Sequence, residues 1–179
     1  MTRTLKKMHD RAGQAFAAAL ISLVGASFAQ SALAAGETST NANDQYTWSA
    51  ELVSFDQASK MATVKVRMDN PSGNKVVGDL MKGDPITVVW TGITWGAGVR
   101  DVVRGYQSNL PADALSLPAQ FVAVDDKDNY ISFEVLVPDT SAAKIQALKA
   151  GDWVTGTSSK HAADPKQAVA AIRGYNDVS

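Results

Sequence analysis

Between positions 46 and 68 the pattern of apolar and polar residues reads as a hairpin. Tyr46 to Phe55 is strand-like, Asp56-Gln57-Ala58-Ser59 is a turn, and Thr63-Val64-Lys65-Val66-Arg67-Met68 alternates with the period of two that marks a strand with one buried face. Asp69-Asn70-Pro71-Ser72-Gly73 ends the hairpin, because proline has no amide hydrogen to give to a ladder and Asn and Gly favour turns. From Asn74 to Lys82 the residues Val76, Val77, Leu80 and Met81 fall at helical spacing, and Gly83 stands where a left-handed cap would close a short helix. Ile86-Thr87-Val88-Val89-Trp90 is a third strand and Thr91 to Gly98 a glycine-rich loop. Val99, Val102, Val103 and Tyr106, at i, i+3, i+4 and i+7, then predict a second short helix.

The same order returns further along. Leu80-Met81-Lys82-Gly83-Asp84-Pro85-Ile86-Thr87 reappears 68 positions later as Leu148-Lys149-Ala150-Gly151-Asp152-Trp153-Val154-Thr155, with Leu, Gly, Asp and Thr in register. At a spacing of 69, Ala119, Val122 and Asp125 answer Ala50, Val53 and Asp56, and Arg173-Gly174-Tyr175-Asn176 answers Arg104-Gly105-Tyr106-Gln107. The strand Ser132 to Val137 answers Thr63 to Met68, a helix from Ala142 to Lys149 with Thr140 or Ser141 as its cap precedes Gly151-Asp152, and Asp164 and Pro165 can open a last helix. The chain thus reads as an internal repeat, 46–110 and 115–179, within one domain spanning 46–179. Each Arg-Gly-Tyr is expected to end its helix at the Gly and to turn its Tyr ring back onto the core.

Three strands with one apolar face cannot enclose a core alone, whereas two copies can. The expected fold is mainly β with short helices: a six-stranded, pseudo-two-fold barrel built from two repeats of about 69 residues. Val53, Phe55, Val64, Val66 and Val88 would fill it together with Val122, Val124, Phe133, Val135 and Val154. At the strand-helix-Gly-Asp-strand junction the sequence resembles the GD-box of the cradle-loop barrels, the group that includes the RIFT and double-psi barrels, with Gly83-Asp84 and Gly151-Asp152 at the motif positions. The resemblance covers about 40 residues of each repeat. It implies that the Gly permits a sharp turn, that the Asp side chain ties the turn to neighbouring backbone, and nothing specific about activity.

The N-terminal end changes the compartment. Residues 1–34 combine a basic head (Arg3, Lys6, Lys7, Arg11), an apolar run from Ala15 to Ala29 and a small-residue end at Ala32-Leu33-Ala34, the grammar of a secretory signal, and 35–45 reads as a flexible polar leader. A periplasmic or secreted protein is expected, with no membrane span once the signal is removed. The signal holds four of the 17 basic and one of the 18 acidic residues, which leaves the remainder at a net charge of −4. That balance argues against nucleic-acid binding, which needs clustered cations. The chain has no cysteine, which excludes disulfides, thiolate metal sites and a cysteine nucleophile.

No set of residues amounts to a catalytic signature, and no enzymatic activity, metal or cofactor is predicted. Asp84 and Asp152 could form a symmetric carboxylate pair, but Pro85 and Trp153 stand where an acid protease needs small hydroxyl residues, so a turn role is expected. Met61, Met68 and Met81 with four Trp and His161 give a copper-carrier alternative, although Met68 and Met81 fall at ordinary core positions. The rival reading is a small periplasmic enzyme or metal carrier with its site in the loops after the third strands. Ser158 and Ser159 with His161 lack a nucleophile elbow. The loop Thr91 to Gly98 lacks the lysine and spacing of a phosphate cradle but offers Trp95 beside Arg100 and Arg104. The expectation is a non-catalytic exported module that binds a partner protein or small ligand through the loops after the third strand of each repeat, at Trp95, Arg100, Arg104, Lys160 and His161.

Overall fold

The computed structural model describes residues 44–69, 71–91, 98–107, 109–111, 113–160 and 162–177. Residues 1–43, which hold the expected signal and most of the expected leader, lie outside them, as do Trp95 and His161. The chain is mainly β. Its strands are β1 (Gln45–Asp56), β2 (Met61–Arg67), β3 (Pro85–Thr91), β4 (Asp101–Arg104), β5 (Ala114–Asp125), β6 (Tyr130–Leu136), β7 (Trp153–Ser159) and β8 (Val169–Gly174), with one short helix, α1 (Asp139–Gln146), before β7. They form one antiparallel sheet in the order β4-β3-β5-β6-β2-β1-β7-β8.

That order reads the same from either end when β1–β4 are exchanged for β5–β8. The registers agree: Leu52 faces Val64 as Phe121 faces Phe133, and Ala50 faces Val154 as Ala119 faces Ile86. Both hairpins turn alike. Asp56 Oδ1 accepts the Ala58 N–H at 2.8 Å and Asp125 Oδ1 accepts the Lys127 N–H at 3.1 Å, an Asx turn in each case, followed by Lys60 and Asn129 at the same φ of 58°.

Two expectations about the strands are corrected. The ladder is an open eight-stranded sheet with β4 and β8 at its edges, not six strands in a closed hydrogen-bonded ring. Val53 and Val122 do not line the interior as alternation required; Val53 is 39% exposed, and Leu52 and Phe121 are buried instead. The cause is a bulge in each long strand, between Leu52 and Ser54 and between Phe121 and Ala123, which inserts one residue and reverses the in-out parity beyond it.

Three of the four predicted helices are also absent. Val102 and Val103 lie in β4, Val102 opposite Val88, and their helical spacing is outweighed by pairing of β-branched residues with β3. Residues 74–82 contain only a single 3-10 turn, Val77–Asp79. The Asn74 carboxamide oxygen there accepts the Val76 N–H at 2.9 Å, a local bond that competes with helix, and its Nδ2 reaches the Val102 carbonyl at 3.1 Å. Asp164 accepts the Lys166 N–H at 2.9 Å in a turn that leads directly into β8. The fourth helix is α1, which starts after Pro138 with no side-chain cap, and neither Thr140 nor Ser141 caps it; the buried Ser141 hydroxyl accepts the Ile172 N–H of β8 at 3.1 Å.

The sheet curls, because residues far apart in strand order meet on its inner face. The rings of Trp48 in β1 and Trp90 in β3, separated in the sheet by three strands, stack with centroids 6.3 Å apart, and Trp90 meets Phe133 of β6 edge-on at 6.4 Å. The Tyr46 hydroxyl donates to the Ser116 carbonyl at 2.7 Å and Trp48 Nε1 to Ser158 Oγ at 2.8 Å, so both of these buried rings have their polar tips satisfied. Burial pushes the Tyr46 hydroxyl far above the ordinary phenol range, with a hydrogen bond from Ser158 opposing weakly.

Candidate functional site

The two Gly-Asp turns have the same construction. Gly83 and Gly151 hold φ of 91° and 94°, a left-handed conformation that favours glycine. Asp84 Oδ2 accepts the Met81 N–H at 3.0 Å, and Asp152 Oδ2 the Lys149 N–H at 2.8 Å. Each turn is pinned to the opposite half: the Gly83 N–H donates to the Phe121 carbonyl at 2.7 Å and the Gly151 N–H to the Leu52 carbonyl at 2.8 Å. Return bonds run from the Phe121 N–H to the Asp84 carbonyl at 2.9 Å and from the Leu52 N–H to the Asp152 carbonyl at 2.8 Å. Both carboxylates are therefore engaged in turns.

The surroundings of the two turns differ. Arg104 Nη1 lies 3.0 Å from Asp84 Oδ2 and its Nη2 donates to the Asp79 carbonyl at 2.8 Å, so the first turn is closed over by a guanidinium. Arg173 makes no such contact with Asp152; its Nη1 donates to the Asp177 carbonyl. Beside Asp152 a cleft of about 710 Å³ opens, lined by Leu148, Asp152, Trp153, Gly174, Tyr175 and Asp177 among others. Trp153 is 49% and Tyr175 45% exposed there. This is an amphipathic recess, with aromatic faces and carboxylates around an opening large enough for a small ligand or a protruding side chain.

The Arg-Gly-Tyr segments are not equivalent as expected. Both close strands, not helices, and neither Tyr packs inward, Tyr106 being 37% exposed. Gly105 has a φ of 81°, whereas Gly174 is an ordinary strand residue paired with Val154.

The sequence-predicted site residues do not gather at this cleft. Trp95 and His161 lie outside the described residues. Arg100 is exposed at the entrance to β4, with its N–H on the Val89 carbonyl at 2.9 Å. Arg104, at the far end of β4, belongs to the first Gly-Asp turn. Lys160 follows β7 at the end of the sheet away from Asp152; its N–H donates to the Asp44 carbonyl at 2.8 Å, and its carbonyl accepts the Ser116 hydroxyl at 3.1 Å. Of the residues lining the cleft, Trp153 and Tyr175 had one legible signal, large aromatics beside repeated Gly-Asp and Gly motifs. For the metal alternative, Met68 is fully buried and Met81 72% exposed, and among the described residues no three His, Asp or Glu side chains group as metal ligands.

Neither a protein-family model nor a curated protein matches the chain. Among solved structures it is similar to a siderophore utilization protein from T. fusca, at 14% identity and a TM-score of 0.29, over 70% of this chain and 47% of that one. The chain thus spans about half the length of that protein, and a likeness of this size carries no argument about fold or activity.

Proposed function

We propose that the protein is an exported, non-catalytic binding module, a duplicated cradle-loop unit in which the extra strands β4 and β8 flank a six-strand core. The repeated registers, bulges and Gly-Asp hydrogen bonds support the duplicated reading, and the N-terminal sequence supports export. The binding surface in this reading is the cleft beside Asp152. The observation that carries it is the exposure of Trp153 and Tyr175 around an opening of about 710 Å³, since large aromatics left half in water around a recess mark recognition surfaces.

A titration of isotope-labelled protein tests this. Small amines, organic acids, sugars and short peptides are added in turn while the four indole N–H signals are followed. A ligand that moves the Trp153 signal, and loses its effect in Trp153→Ala, supports the cleft. Ligands that act only through Trp95 would move the site to the sequence after β3 and overturn this reading.

A further inference from the structure

The cleft exists because of a one-residue slip between the outer strand pairs. In β3–β4, Ile86 faces Arg104 and the Gly105 N–H closes the ladder on the Pro85 carbonyl at 2.7 Å. In β7–β8 the residue at the Ile86 position, Val154, faces Gly174, and the Tyr175 N–H closes the ladder on the Trp153 carbonyl at 2.8 Å. The register of β7–β8 shifts between Thr157 and Ser158. The place that Arg104 takes beside Asp84 is thus taken beside Asp152 by a residue with no side chain. Arg173, moved one step along, is turned to the Asp177 carbonyl.

Where the first half places a guanidinium, the second has none, with the same acceptor in place and both Gly174 and Asp152 lining the cleft. A Cβ built on Gly174 would lie 3.1 Å from Asp177 Oδ2 and 3.4 Å from Leu148 Cδ2, so a group entering there meets a carboxylate on one side and an apolar wall on the other. Asp152 and the rings of Trp153 and Tyr175 complete the lining. A planar, weakly hydrated cation suits this combination: it pairs with carboxylates through directed N–H bonds and stacks on aromatic faces, where a hydrated ammonium does so less well.

The geometry points to a guanidinium site: the cleft takes an arginine side chain of a partner peptide, or a small guanidine compound, in the position that Arg104 occupies in the first half. This rests on the cleft being the binding surface. The probes are agmatine, a capped peptide with one central arginine, and the same peptide with citrulline, which keeps the shape and loses the charge. The Trp153 indole signal is the readout. Agmatine or the arginine peptide should shift it in a saturable way, with citrulline weaker by at least about tenfold, as expected where a charge-assisted pair is lost. Shifts by agmatine as well as the peptide place recognition in the guanidinium itself; shifts by the peptide alone place it in a polypeptide partner.

Asp152→Asn, whose side-chain oxygen can still accept the Lys149 N–H, should weaken binding about tenfold. Gly174→Arg, whose Cβ requires the Asp177 carboxylate 3.1 Å away to shift, should occupy the cleft and abolish binding; Asp177→Asn, expected to weaken binding, serves as the milder variant if that protein folds poorly. Equal binding of citrulline and arginine peptides, or unaltered binding in Asp152→Asn and Gly174→Arg, overturns the assignment. A neutral ligand that moves Trp153 where both guanidinium probes fail overturns the assignment and leaves the binding cleft standing. If no ligand moves Trp153 or Tyr175, both fall.

Discussion

Trp48 and Gly156 are opposite residues of β1 and β7, and the equivalent opposite pair in the other half is Leu117 with Val88. The same inner-face position is thus filled in two ways, which a double substitution tests. A Cβ on Gly156 would lie 2.2 Å from Trp48 Cζ2 and 2.3 Å from Cε2, against about 3.5–4 Å for carbons in contact. The indole would have to retreat by more than about 1 Å, yet its ring is stacked with Trp90 and its Nε1 is held 2.8 Å from Ser158 Oγ. Gly156→Val alone should therefore combine overpacking, about 1–3 kcal/mol, with a stranded buried donor, about 1–3 kcal/mol, less up to about 1 kcal/mol gained by removing glycine from a strand. Trp48→Leu alone leaves a cavity at a cost of about 2–4 kcal/mol, near the lower end for large-to-small core changes because part of the volume is kept. If the two acted independently the pair would lose about 3–10 kcal/mol, enough to unfold a domain of ordinary stability. Since leucine and valine restore the packing that Leu117 and Val88 already use, the double variant should instead fall within about 2 kcal/mol of the parent. Urea unfolding followed by far-ultraviolet circular dichroism, which does not depend on the lost indole, gives the three free energies. A double variant as unstable as the sum of the singles refutes the equivalence of the two pairs.

Gly83→Val and Gly151→Val should each lower stability by about 1–3 kcal/mol, because φ near +90° strains a β-branched residue; unchanged urea midpoints in both would show that the turns relax freely. Burial raises the Tyr46 hydroxyl in the folded state above its unfolded value of about 10, so its contribution is fully present below about pH 10 and is lost as the pH rises beyond that. Phenolate absorbance should accordingly show Tyr46 ionising only in a late step, as the far-ultraviolet signal collapses, and Tyr46→Phe should remove that step. Ionisation of Tyr46 with the fold intact would contradict the burial of that hydroxyl.

The inner strands were legible because each signal was local. Alternation in 63–68, Gly-Asp before an apolar run and the Asp-led hairpin turns are all carried by a few consecutive residues, and β1, β2, β3, β6 and β7 fall where they were expected. The failures share one physical origin, the dependence of a segment on its partner. A bulge at Val53 leaves no mark in a strand of alternating composition, because it is imposed by pairing with β2. The four residues of β4 have the spacing of a helix and become a strand through the open edge of β3, while Gly78 and Asn74 withhold the helix expected before Gly83. The cleft was hidden for the same reason: Arg104 and Arg173 are identical and align at a spacing of 69, and only the shifted ladder between β7 and β8 makes one a partner of a Gly-Asp carboxylate and the other not.

The differences between the two halves are therefore of two kinds, and the contrast bears on function. Where the inner face departs from its counterpart, a second change makes up the loss: Trp48 is matched by Gly156, and Tyr46 by Ser158 opposite it, while the counterpart positions hold Leu117 with Val88 and Leu115 with Trp90. Such compensation is what close packing demands, since an interior tolerates neither void nor overlap. At the outer end of β8 the loss of the arginine is not made up. Gly174 brings no side chain to the cleft, Trp153 and Tyr175 remain half in water, and Asp152 keeps its bond to the Lys149 N–H with no guanidinium above it. An exposed carboxylate pair costs the fold little, because solvent carries most of its charge, so stability does not require the space to be filled. A change that packing neither forced nor repaired, and that leaves aromatic surface exposed around an acceptor, is where a binding surface can be gained at least expense to the fold.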